Sequence, residues 1–254
     1  MLPYVQIPPI EIGGARIEVF GLLVAIGCIA GFLVARREAR LQGLKPEVID
    51  GCLFWALVPG FFMSRLFELV FYHPEQLIAA PWSVFYFWAS MSSFGGFLGG
   101  AAGVTGHFLY TRQPVIPYCE CLVVGLLVGW FFGRMGCSIV HDHPGIHTSF
   151  PLGVNFPDGP RHDLGLYEWL YTIVMLAVVF CLPRTRMPVG AMLGGVCIAY
   201  APVRFLLDFL RIADAHYAGL TAAQYACIVL FVIGLWLIAL SDKMPRKAIA
   251  RPRR

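Results

Sequence analysis

The stretch Cys121–Gly145, CLVVGLLVGWFFGRMGCSIVHDHPG, opens as an apolar run and closes with an arginine, a cysteine, two histidines and an aspartate in one bend. A helix over its first half has no polar face, so it belongs either in a protein core or in a bilayer. Composition decides between them. Of the 254 residues 58% are hydrophobic and 13% charged, and the mean hydropathy is +0.71, whereas soluble domains are about half apolar and about a quarter charged. The chain is therefore expected to be an all-α integral membrane protein.

At about 20 residues per helical crossing, seven runs are long enough to span, near 17–36, 52–72, 91–111, 115–133, 165–182, 189–208 and 222–240. They divide the chain into an outer N-terminal segment, 1–16, a seven-helix domain, 17–240, with an outer loop at 134–164, and a basic tail, 241–254. The first run lacks the basic flank and small-residue cleavage site of a signal peptide and is expected to remain as a helix. Arg36, Arg37, Arg40, Lys45, Arg112, Arg184, Arg186 and the tail hold 13 of the 19 basic residues, all at alternate ends of the spans. The positive-inside rule puts those ends and the C-terminus in the cytoplasm and the N-terminus outside. With the basic residues so distributed, the net charge of +4 gives no reason to expect a nucleic-acid partner.

Six arginines fall on the other side: Arg16, Arg65, Arg134, Arg161, Arg204 and Arg211. A charge at membrane depth costs about 2.5–3.5 kcal/mol on insertion scales. Single residues of this kind snorkel or pair, here with Glu18, Glu68, Asp208 or Asp214. A whole set on one side suggests an outward cavity for an anionic headgroup, because the guanidinium fork matches phosphate.

Small residues carry a second pattern. Gly95, Gly96, Gly99, Gly100, Gly103 and Gly106 recur at small-xxx-small spacing in the third span, which suits close helix packing. Gly95 and Gly96 also open that helix, where free N–H groups would suit an anion. Cysteines within the spans read as small apolar residues. Cys119-x-Cys121 lacks the spacing of a structural zinc site.

Several separated stretches resemble the prolipoprotein diacylglyceryl transferase family of bacterial inner-membrane enzymes. Gly133-Arg134-Met135-Gly136 is similar to its arginine-glycine core signature, with Gly145 as the closing glycine and Glu120 as an acidic residue about four turns upstream. MSSFGG at 91–96 resembles its Met-Ser-Phe-His-Gly-Gly block, Leu166–Glu168 its Gln-Leu-Tyr-Glu block, and Tyr200–Arg211 its Tyr-x-x-x-Arg-Phe-x-x-Glu-Phe-x-Arg block. GLTAAQY, ending at Tyr225, resembles the opening of its last helix.

The resemblance implies transfer of the diacylglyceryl group of phosphatidylglycerol, or of another anionic phospholipid, to a lipobox cysteine thiol in a prolipoprotein signal-peptide segment. It implies a multi-pass protein of the bacterial cytoplasmic membrane and no cofactor. Arg134 and Arg204 are then expected to stabilise the phosphate, with Tyr200 and Asp208 beside them. Gly95, Gly96, Gly136, Gly145, Glu120, Glu168 and Arg65 are expected to bind or orient substrate.

This chain departs from the family pattern at four polar positions. Phe94 stands for a histidine, Cys137 and Val140 for asparagines, and Phe20 for a tyrosine; Asp208 shortens a glutamate. Phenylalanine moves no proton. The island His141-Asp142-His143 is therefore expected to handle the thiol proton, because the unperturbed pKa of imidazole, about 6.5, lies near working pH. His162-Asp163 forms a second island, and His141, His143 and Asp163 have metal-ligand chemistry without a distinctive framework, so no metal is assigned. His73 and His107 are read as ordinary polar residues. Two other classes remain: a phospholipid headgroup transferase or hydrolase with another acceptor, and a non-catalytic lipid-binding membrane protein.

Overall fold

The computed structural model describes residues 1–243 apart from 6, 13–14, 87–88 and 213–215, and the side chains at 10, 12–17 and 93–94 are also outside the description. Arg16 and Phe94 as side chains, Asp214, and the tail from residue 244 onward thus lie outside the described residues. The chain forms two compact units, residues 43–118 and residues 1–42 with 119–254.

In the unit 43–118, α2 (Pro46–Phe71) is followed by the short α3 (Pro74–Ala79), a 3₁₀ turn (Pro81–Phe85) and α4 (Ser93–Tyr110). Pro46 sits in the first turn, where its missing N–H costs nothing. Pro59, inside α2, cannot bond the Trp55 carbonyl. That carbonyl faces Gly103, where a Cβ would lie only 1.9 Å from the oxygen. Gly99 meets the Pro59 carbonyl and Gly95 the Met63 carbonyl at 2.3 and 2.5 Å in the same sense. The glycine stripe is thus a backbone-to-backbone contact between α2 and α4. Gly103→Val is expected to overpack it, costing at least about 1–3 kcal/mol. The check is recovery of monodisperse detergent-extracted protein; wild-type yield and melting temperature would contradict this packing role.

Two large buried polar groups in this unit are matched to backbone. Arg65, 3% exposed, donates to the carbonyls of Ser83 and Ser90, each at 3.0 Å. His107 lies 3.2 Å from the Val48 carbonyl. Its ring occupies the space where a side chain at Gly51 would go.

The second unit holds α1 (Val19–Leu41), α5 (Val115–Val140) from residue 119, α6 (Leu164–Cys181), α7 (Ala191–Asp208) and α8 (Ala222–Ser241). Apolar helices gain little by hiding leucine from lipid, so they associate where backbones can approach. Gly31 and Gly125 do this for α1 and α5, a Cβ on either coming within 2.5 Å of the other's carbonyl. Gly194 and Gly234 do it for α7 and α8 at 2.8–3.0 Å. At one end Arg184 binds the buried Glu38 carboxylate at 2.9 Å and the Val179 carbonyl at 2.5 Å, an ion pair between two basic segments that sequence reading did not anticipate.

Among the described residues, six helices, α1, α2, α5, α6, α7 and α8, are long and apolar enough to cross a membrane. The other expected run coincides with α4, 18 residues long. The fourth run extends to Val140 rather than stopping at 133, so Arg134 and Cys137 lie in a helix. GRMGCSIV contains no proline or helix-ending polar cluster, and Gly136 admits the Phe20 ring, 2.9 Å from where a Cβ would be. The helix ends at His141, in the left-handed region with φ 53°.

The loop between α5 and α6 is ordered as a sheet. β2 (Pro144–His147), β3 (Val154–Phe156) and β4 (Gly159–Asp163) pair antiparallel, and β1 (Leu2–Pro3) adds parallel to β3, giving the order β1-β3-β4-β2. Pro157-Asp158-Gly159 makes the tight turn, Gly159 adopting φ 119°. The all-α expectation thus holds for the mostly helical body and misses this small sheet.

Candidate active site

The end of α5, the start of α6 and the last turns of α7 meet around Glu168, a carboxylate with only 4% side-chain exposure. Arg134 Nε lies 2.9 Å from Glu168 Oε2, and Arg204 Nε lies 3.6 Å from Oε1. The Tyr200 hydroxyl donates to Oε2 at 3.4 Å. Positions 200, 204 and 208 form one stripe of α7 because side chains four apart share a helix face.

On that stripe Arg204 Nη1 reaches Asp208 Oδ1 at 2.7 Å, with Arg211 3.8 Å from the same oxygen. The Thr221 hydroxyl donates to Asp208 Oδ2. Thr221 also caps α8 in a capping box with Gln224, so the start of α8 anchors this carboxylate. Arg134 lies over the Trp130 ring, 4.5 Å from its centroid, where cation–π attraction offsets lost hydration.

Among the described residues, the cluster thus sets Arg134, Arg204 and Arg211 beside the carboxylates of Glu168 and Asp208. Guanidiniums this buried are tolerated only while paired.

The loop is tied to the same end of α7. Gly145 bridges to Arg211, Ile146 N–H donates to the Leu210 carbonyl at 2.9 Å, and Arg161 donates to the Gly145 carbonyl at 3.1 Å. A side chain at Gly145 would meet the Leu210 carbonyl at 2.8 Å. Within this loop the two histidines of the island separate. His141 Nδ1 contacts the fully buried Asp163 at 2.5 Å, and its ring stacks on Tyr4 at 4.7 Å. Asp163 also accepts the Leu166 N–H at 3.0 Å and so caps α6.

His143 Nδ1 instead bonds Asp142. Both approach Cys137, with one ligand-type atom from each residue within 4.8 Å of the others. Cys137 Sγ is 3.9 Å from Arg134 Nη1. Gly165 permits this arrangement: a Cβ there would touch the Cys137 backbone and side chain at 3.0 Å.

His162 lies 2.9 Å from the Tyr167 hydroxyl, and burial holds its pKa below the ordinary histidine value. The folded state thus favours neutral His162, and its stabilising contribution is complete above about pH 6.5 and lost as pH falls through the lower folded pKa. Hydrogen exchange over 144–163, corrected for intrinsic rates, is expected to accelerate below about pH 6.5, and His162→Gln to flatten that rise. An identical acid response in the variant would count against this assignment. The Arg161 bond holds the Asp158 carboxyl below its usual range on the exposed turn.

Other expected site residues have contacts of their own. Glu120 lies 14 positions before Arg134 on α5, about 21 Å along the axis. Its carboxylate accepts the N–H groups of Gly190 and Met192 at 2.8 and 3.1 Å, serving the start of α7. Gly136 packs on Phe20. In the unit 43–118, the N–H groups of Gly95 and Gly96 are taken by the Ser92 hydroxyl and carbonyl at 3.4 and 3.0 Å. Sequence reading passed over Trp130 and took Thr221 and Gln224 only as part of the segment that opens the last helix; Thr-x-x-Gln is the capping-box signature that marks them.

Comparison with known proteins adds a family to this geometry. Residues 9–240 match the family model described as prolipoprotein diacylglyceryl transferase. The chain is similar to the phosphatidylglycerol–prolipoprotein diacylglyceryl transferase of Nitratidesulfovibrio vulgaris strain Miyazaki F, 33% identical over 94% of this chain and 95% of that protein. Proteins of the same name from Pseudomonas putida strain W619 and Chromohalobacter salexigens are 28% and 29% identical, the first over 99% of both chains and the second over 96% of both.

Proposed function

We propose a function from one premise: the chain belongs to the prolipoprotein diacylglyceryl transferase family. It moves the diacylglyceryl group of phosphatidylglycerol onto the thiol of a lipobox cysteine in a secreted prolipoprotein and releases glycerol phosphate. It acts in a bacterial cytoplasmic membrane through seven spans, the N-terminus outside and the basic tail in the cytoplasm. The split of basic residues between alternate span ends supports that orientation.

The observation that carries the reading is the convergence of Arg134 and Arg204 on one buried carboxylate, Glu168. Two fixed guanidiniums suit a phosphate diester that gains charge as its carbon–oxygen bond breaks. Glu168 and Tyr200 hold the forks in place, and Asp208, anchored by Thr221, fixes the angle of Arg204. Gly136 lets α5 take the Phe20 ring, and Gly145 lets the loop approach the end of α7. Cys137, Asp142 and His143 border Arg134 where the incoming thiol must ionise.

In phosphatidylglycerol bilayers with a lipobox peptide, the purified protein is expected to yield a thioether-linked diacylglyceryl peptide and one glycerol phosphate per transfer. A serine-substituted peptide is expected to remain unmodified. Glycerol phosphate released without peptide would move the reading to a headgroup hydrolase. Failure to support growth of a transferase-depleted bacterium, with no turnover in vitro, would leave a lipid-binding protein.

A further inference from the structure

We propose that Cys137, Asp142 and His143 form a site for a zinc-class divalent cation, and that its open position takes the acceptor thiol. The second half rests on the transferase reading; the metal site itself does not. One ligand-type atom from each residue already lies within 4.8 Å of the other two. Around tetrahedral zinc, with bonds of about 2.0–2.3 Å, such atoms sit roughly 3.5 Å apart, so side-chain rotation closes the set. Thiolate, imidazole and a single carboxylate form a borderline-soft donor set suited to zinc and unsuited to calcium or magnesium.

The backbone prearranges these donors. Cys137, 6% exposed, is fixed in the last turn of α5. Four residues later His141 takes φ 53°, a conformation that a non-glycine side chain seldom adopts. It is held there by Asp163 and Tyr4. The chain then folds back, so Asp142 and His143 return to the helix end instead of continuing away from it. His141 thus borders the site without belonging to it.

Charge and placement agree. Thiolate and carboxylate neutralise a divalent ion. Arg134 lies 3.9 Å from Cys137 Sγ, its charge offset by Glu168 at 2.9 Å. Three protein ligands leave a fourth position, the pattern of a catalytic rather than structural site. A thiol bound there is deprotonated outright yet keeps sulfur lone pairs for attack. This provides for the acceptor what Phe94 cannot.

In the step, the thiol gives its proton to water and its sulfur forms a bond to the terminal glycerol carbon of the diacylglyceryl group. The carbon–oxygen bond breaks with its electron pair moving to the phosphate oxygen. The phosphodiester monoanion leaves as a phosphate monoester dianion beside Arg134 and Arg204, with no redox change.

The test uses full-length protein in detergent, stripped with chelator and titrated with Co²⁺, whose thiolate complexes absorb in the near ultraviolet. One equivalent is expected to bind with a thiolate-to-cobalt band that disappears in Cys137→Ser. His143→Gln and Asp142→Asn, loop changes that leave α5 intact, are expected to weaken binding at least tenfold. Adding a lipobox peptide should intensify the band; its serine analogue should not. Absence of stoichiometric binding, or a band unchanged by Cys137→Ser and His143→Gln, overturns the site. Full-rate transfer by stripped protein overturns the thiol role while leaving the transferase reading intact. A peptide-responsive band without transfer from phosphatidylglycerol supports the site and overturns that reading.

Discussion

Arg134→Ala and Arg204→Ala are each expected to reduce diacylglyceryl transfer by at least about 10²–10³, the typical cost of removing one donor from a site of developing negative charge. Their effects on the protein should differ. Arg204 contacts both Glu168 and Asp208, so its loss leaves two buried carboxylates short of charge. Breaking a buried pair in this way costs about 3–5 kcal/mol. Among the described carboxylates Arg134 pairs with Glu168, and it also packs on Trp130, while Arg204 and Tyr200 continue to serve Glu168 without it. Arg134→Ala should therefore lose activity with only a modest loss of folded protein, whereas Arg204→Ala should lose both. Arg134→Lys keeps the charge but not the fork and should recover only part of the rate. Membrane protein level is measured by quantitative blot and turnover by glycerol phosphate release. Wild-type turnover in both alanine variants would remove the phosphate role from these residues.

The site was partly legible because its parts are spaced by helix geometry. Tyr200, Arg204 and Asp208 lie four apart, so any helix over 189–208 aligns them. Their meeting with Arg134 through Glu168 is a contact between three helices, and no local spacing encodes it. The apolar runs were readable for the same local reason, since each satisfies its backbone hydrogen bonds internally. The sheet over 144–163 was not. Its strands are three to five residues long, and their pairing depends on Gly159 and on the bridge from Gly145 to Arg211. Glu120, singled out by the resemblance alone, has a carboxylate that accepts N–H groups at the start of α7, a contact 70 positions away that no local spacing encodes.

The two histidines of the island should separate in function as they separate in space. His143→Gln is expected to slow transfer by about 10²–10⁴ near neutral pH, the range for losing a group that helps ionise a nucleophile. A free thiol has a pKa of about 8.5, so the variant's rate should climb about tenfold per pH unit toward that value as the acceptor ionises unaided. The wild-type profile should be flatter there. His141→Gln is expected to keep the rate within a few-fold and to act on stability, because His141 serves Asp163 and Tyr4 rather than Cys137. Leaving Asp163 short of one partner costs about 1–3 kcal/mol, while its cap on the Leu166 N–H persists. The double variant should then combine the rate of His143→Gln with the melting temperature of His141→Gln. Wild-type rate and pH profile for His143→Gln would reduce His143 to a polar loop residue. A rate loss confined to His141→Gln would transfer the chemistry to the Asp163 side of the loop.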